Sequence, residues 1–142
     1  MGYVRVVQSA LCRWGMIVDE NRIRLAAETY FALLNADRAR FFAQFALNAK
    51  VEDVEGNSYR GTDAITAYVE QALSTFERVD FCPRRITVAT DQAAVRWSAQ
   101  GVLCTGERVT FSGITVLRFD ADYRVVSARE YHAYSSALAR TA

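Results

Sequence analysis

Only one histidine and one proline occur in this chain, and its three cysteines, Cys12, Cys82 and Cys104, lack the paired spacing of a metal site. An odd, widely spaced set of thiols in 142 residues does not describe a disulfide scaffold, so a reducing cytoplasm is the expected compartment. Opposite charges nearly cancel, seventeen basic residues against sixteen acidic, and the basic ones are scattered along the chain. That pattern gives no electrostatic footprint for nucleic acid. Long apolar runs are missing too. The N-terminal MGYVRVVQSALCRWGMIV is interrupted by Arg5 and Arg13 and offers neither a clean signal-peptide core nor a membrane span. Residues 1–15 are expected to form a loosely attached arm, and residues 16–142 a single domain. No glycine-rich phosphate loop, nucleophile motif or metal cluster is visible, so chemistry is expected to run without cofactor or metal, on acid–base groups and water.

What is present reads as helices followed by strands. Between residues 19 and 34, Ile23, Ala26, Ala27, Tyr30, Leu33 and Leu34 form one stripe of a 3.6-residue helix. Asn35 and Asp37 interrupt it, and Asp37 is placed to cap a short second helix carrying Phe41, Phe42 and Phe45. A short strand over residues 50–54 ends in the turn 55–58. A third helix follows Thr62, with Ile65, Tyr68, Val69, Ala72, Leu73 and Phe76 on one face. Beyond Glu77 the pattern is strand: residues 79–82 ending at Pro83, residues 86–89, and residues 94–103, where Val95, Trp97 and Ala99 alternate with Arg96, Ser98 and Gln100. The stretch 108–132, RVTFSGITVLRFDADYRVVSAREYH, reads as a central hairpin turning at residues 120–122, with Ala128, Glu130 and His132 on one face of its second strand. Helices first and antiparallel strands afterwards predict an α+β domain with its helices on one face of the sheet.

Three stretches carry a family likeness: AKVED at residues 49–53 with Gly56 and Arg60-Gly61 downstream, VRWSAQG at 95–101, and RVTFSGITVLRFD at 108–120. Together they resemble the nuclear-transport-factor-2-like superfamily, which houses ketosteroid isomerases and SnoaL-like polyketide cyclases. The resemblance implies a cone, three N-terminal helices packed on a strongly curved, mostly antiparallel sheet. It also implies a cavity that takes a small apolar carbonyl compound for isomerisation or aldol cyclisation. A non-catalytic binding or dimerisation module of the same fold is the alternative, and epoxide hydrolysis, with Arg96 beside Asp53, a minor one.

The likeness points to residues as well. Isomerases of the family place a catalytic carboxylate at the aspartate of a VED-type motif, here Asp53, and burial in an apolar cone would raise its pKa toward a useful value. The competing reading is an aspartate that only shapes the turn before Gly56 and Asn57. The isomerase oxyanion donors are not reproduced: Thr29 stands where a tyrosine is usual, with Tyr30 about 100° further round the helix, and Ser112 stands where a protonated aspartate is usual. Steroid isomerisation is therefore not expected. A different constellation remains inside the cone, Asp53 with Ser112, Glu130 and His132, in which His132 is the second proton carrier. The plainer readings are a satisfied core histidine and, for Glu130, a solvated strand-edge charge. Strand parity carried over from the family turns Arg96 and Gln100 inward to grip the ligand, with Tyr30 and Tyr68 as rim donors. Trp97 and Phe111 then fall on the outer face, where a second subunit would cover them in a homodimer.

Overall fold

A computed structural model describes residues 19–133. The expected arm, residues 1–15, lies outside the described residues. Helix α1 (Glu20–Ala36) begins at Asp19, whose side chain accepts from the Asn21 amide at 2.8 Å. Its buried stripe is Ile23, Ala27, Tyr30 and Phe31, the i, i+4, i+7, i+8 spacing of one helical face. Asp37 both ends α1 and caps α2 (Arg38–Ala43), its carboxylate accepting from the Arg40 amide. Strand β1 (Phe45–Glu52) and the short β2 (Ser58–Arg60) precede α3 (Thr62–Leu73), and then come β3 (Phe76–Ala89), β4 (Gln92–Leu103), β5 (Arg108–Phe119) and β6 (Val125–Ala133). Among the described residues no helix is long and apolar enough to cross a membrane.

The six strands form one sheet in the order β2-β1-β6-β5-β4-β3, antiparallel throughout except where β1 runs parallel to β6. The helices lie on one face of this sheet, as the order of elements predicts, and the chain is α+β.

Local differences from the sequence reading have simple causes. Phe45 opens β1 and does not belong to the second helix, and Phe76 opens β3 and does not belong to the third: both sit where an aromatic suits either period. Thr62 is the first residue of α3, and Gly61, at φ 89°, takes the cap position. The segments on either side of Pro83 are one strand. Because β3 is the sheet edge, proline costs it no ladder bond, and a bulge between Pro83 and Arg85 absorbs the irregularity.

The largest correction concerns parity. Val95, Trp97 and Ala99 are buried beneath the helices, while Arg96 and Gln100 are exposed on the other face. Trp97 stacks edge-on against Phe81 and Phe111 inside the fold, so the chain's own helices cover the rings that were expected to call for a second subunit. What admits the indole is Gly113, its partner on β5. A Cβ built there would stand 2.5 Å from the Tyr131 carbonyl oxygen and 2.7 Å from Trp97 Cζ2. Neither obstacle is a free side-chain end, so the strands must part or the ring must turn. Gly113→Ala is expected to destabilise the fold by about 1–3 kcal/mol, read as a lower urea midpoint with an unchanged slope.

Candidate active site

A cavity of about 120 Å³ lies between the inner face of the sheet and helices α1 and α3. Tyr30 and Tyr68 stand on its helix side; Trp97, Phe111, Thr115 and Glu130 stand on its sheet side. Among the described residues the rest of the lining is aliphatic or aromatic, and no lysine or arginine is part of it. Thr115 and Glu130 are cross-strand partners on β5 and β6, which is why both point the same way. The buried Thr115 hydroxyl accepts from Trp97 Nε1 at 2.9 Å, and Tyr68 Oη donates to Glu130 Oε1 at 3.1 Å.

This environment tunes the acid. Burial in the apolar wall pushes Glu130 up from the ordinary 4.5 to about 7; the Tyr68 hydrogen bond works in the opposite direction, and the negative charge of Asp53 adds a further push upward. Both phenols stay protonated. Burial, followed by the charge of Glu130, holds Tyr68 and Tyr30 well above the usual tyrosine range. The Tyr30 hydroxyl makes no hydrogen bond to another described residue, so its proton is available to whatever occupies the cavity.

Asp53 sits elsewhere, at the start of the turn after β1. Its Oδ1 accepts from the amides of Glu55 (3.0 Å) and Asn57 (2.9 Å), and its Oδ2 from Asn57 Nδ2 (3.1 Å) and Tyr59 Oη (3.2 Å). Burial alone would raise this carboxyl, yet the four donors outweigh it and hold the pKa below the ordinary value. Asp53 therefore stays ionised with both oxygens occupied, and it does not line the cavity. It is linked to the cavity acid through two stacked rings: Tyr59, which donates to Asp53, lies 4.3 Å from Tyr68, which donates to Glu130.

The structure thus brings together Glu130, Tyr30 and Tyr68 and leaves out Ser112, Arg96 and Gln100, which are exposed on the outer sheet face. Ser112 pairs with Ser98, one position out of phase with the cavity-lining Phe111. His132 stands in β6 opposite Gly113, and its side chain lies outside the described residues. Thr115 and Trp97 are cavity residues that sequence reasoning missed. The signal was available: in 93–101 the face carrying every large apolar group has to be the one the helices cover.

A model of the SnoaL-like domain matches residues 27–128. No curated protein matches. Solved structures share the fold at low identity. A provisionally assigned polyketide cyclase from Xanthomonas campestris pv. campestris is 15% identical, with a TM-score of 0.76 over 87% of this chain and 98% of that one. A protein of ketosteroid isomerase-like fold from Catenulispora acidiphila, solved in complex with trimethylamine, is 18% identical, with a TM-score of 0.70 over 80% and 89%. The epoxide hydrolase/cyclase-like enzyme SalBIII, of pyran ring formation in the polyether salinomycin, is 20% identical, with a TM-score of 0.73 over 81% and 93%.

The raised pKa of Glu130 sets a sign for pH dependence. Between 4.5 and about 7 the folded state holds a proton that the unfolded chain has released, so stability falls as pH rises through that window. Glu130→Gln removes the titration. Its unfolding free energy relative to the parent chain is expected to rise between pH 4.5 and pH 8 by on the order of 1–3 kcal/mol, measured by urea denaturation across that range; a flat difference would mean that Glu130 titrates normally.

Proposed function

This chain belongs to the SnoaL-like domain family, and we propose that it is an acid–base enzyme that works with its own side chains alone, isomerising or cyclising an apolar carbonyl compound in its cavity. The observation that carries this reading is Glu130, a carboxyl poised near neutrality in an apolar chamber and flanked by two phenols that keep their protons. Ionised Glu130 takes a proton from the carbon beside the substrate carbonyl. Tyr30 donates to the enolate oxygen that forms, where a hydrogen bond strengthens as charge develops. In isomerisation Glu130 returns the proton to another carbon. In an aldol closure the enolate carbon attacks a second carbonyl of the same molecule, and Glu130 gives its proton to the alkoxide.

Tyr68 fixes the Glu130 rotamer, and in this reading Asp53 is not the base but a fixed negative charge that helps to keep Glu130 weakly acidic. His132, two residues further along β6, remains the second candidate proton carrier. A cavity of about 120 Å³ is near the size that holds one benzene-sized ring, about 150 Å³ in an engineered case. The part of the substrate that meets Glu130 is therefore about one ring in size. The complex of the Catenulispora neighbour with trimethylamine favours a second reading, a module that holds a small ligand without turning it over. Epoxide opening, suggested by SalBIII, draws less support, because Arg96 is on the outer face and Glu130 is the only carboxyl among the described residues that line the cavity.

Deuterium exchange from D2O into 2-cyclohexenone and larger cyclic enones, followed by NMR, tests the proposal. The parent chain is expected to speed exchange, with a rate that rises with pH through about 7 as Glu130 ionises. Glu130→Gln should lose about 100-fold or more and Tyr30→Phe about 10- to 100-fold, whereas Asp53→Asn should keep most of the rate. Loss in Asp53→Asn with retention in Glu130→Gln would return the base to Asp53, and a comparable loss in His132→Gln would make the histidine a partner in the transfer.

A further inference from the structure

The basic residues that are scattered along the sequence are gathered in space. In β3, Arg78 lies opposite Val102 and Arg85 opposite Arg96, all on the outer face of the sheet. The bulge between Pro83 and Arg85 brings Arg84 onto the same face, where its Nε donates to Ser98 Oγ at 2.7 Å. Strand β5 adds Arg108 and Arg118, opposite Val102 and Gln92; β6 adds Arg129, β1 adds Lys50, and β2 adds Arg60 opposite Lys50. Asp80, Glu52 and Glu77, the last in the bulge between Phe76 and Arg78, bring negative charge to this face. Nine basic residues against three acidic ones give it a net +6 on a chain whose formal charge is +1.

Glu52 is shared by Lys50 and Arg129. The remaining seven arginines form no ion pair among the described residues. Arg85 and Arg96 even stand directly opposite one another, an arrangement that costs stability in an isolated sheet. The same cross-strand row continues through Ile114 and Tyr131, which are 41% and 49% exposed. Arginine, tyrosine and an aliphatic group side by side is the composition of protein-interface centres, and guanidinium in place of ammonium favours two-pronged contact with carboxylates.

We propose that this face docks a partner protein through an acidic surface that carries an apolar side chain, its carboxylates meeting Arg84, Arg85 and Arg96 and its apolar group meeting Ile114 and Tyr131. A second copy stacked face to face would set +6 against +6, and like charges across an interface are strongly unfavourable. Charge complementarity therefore selects an acidic partner over the two-fold dimer through this face.

The test uses the full chain and fluorescence anisotropy with fluorescein-labelled octaglutamate carrying a central Leu-Phe pair. Binding is expected, weakening as salt is raised. It should weaken about threefold or more without the Leu-Phe pair or in Ile114→Ser, and about tenfold or more in Arg85→Ser/Arg96→Ser, while Arg40→Ser on the helix side binds as the parent does. Circular dichroism confirms that each variant is folded. Equal binding by the Arg85/Arg96 variant overturns the proposal. So does tighter binding of a twelve-nucleotide single-stranded DNA, which would make the partner a nucleic acid. A free chain that sediments as a dimer and is split by the same double substitution would put a second copy on the face and overturn it too.

Discussion

A cross-strand pair with a side chain on one half only fixes which face of this sheet turns inward. Gly113 stands opposite Trp97, and the indole occupies the space that any Cβ at residue 113 would need. Because strand side chains alternate, that single placement determines the rest of β4 and β5, and through pairing it determines β6. Thr115 and Glu130 follow Trp97 inward; Ser112, Arg96 and Gln100 are sent outward. A slip of β4 by one residue would bury Arg96 and expose the tryptophan. The Trp97 hydrogen bond to Thr115 adds a polar restraint to the same register, since either group buried without the other would lose its partner.

Two carboxylates a short distance apart are driven in opposite directions by what surrounds them. Asp53 lies in a tight turn whose amides have few other acceptors, so it collects four donors and stays charged. Glu130 projects from the middle of a strand, where the backbone groups are spent on the ladder, and it finds one phenol and an apolar wall. The stacked pair Tyr59 and Tyr68 joins them without a charge of its own. A fixed anion thus stands on one side of the rings and a carboxyl of raised pKa on the other.

The elements themselves were legible. Helix α1 shows its stripe, Asp37 shows a cap, and the hairpin β5–β6 shows its alternation and its acidic turn, because each rests on local spacing. The family likeness of the VED, VRWSAQG and RVTFSGITVLRFD stretches gave the cone. What the sequence alone did not resolve was parity and context. Counting positions from a family pattern put Ser112 and Arg96 inside, when the row of large apolar groups at Val95, Trp97 and Phe111 already indicated the covered face. A motif aspartate marked Asp53, but whether it meets a cavity or its own turn depends on hydrogen bonds that no spacing reveals. Glu130 looked like a strand-edge charge because β1 adds beside β6 from 77 residues upstream, where Glu52 meets Arg129, and turns an apparent edge into the sheet interior.

Seen together, the two faces of the sheet belong to one physical arrangement. The alternation that sends seven unpaired arginines outward leaves no lysine or arginine among the described residues that line the cavity around Glu130. A guanidinium beside a buried carboxyl would restore its ionised form and return it to the range of an ordinary acid. Burial first, and then the negative charge of Asp53, push Glu130 up to about 7, while every arginine of the strands that frame the cavity faces the other way. The charge of the outer face and the raised pKa of Glu130 thus follow from the same register, fixed where Trp97 crosses Gly113.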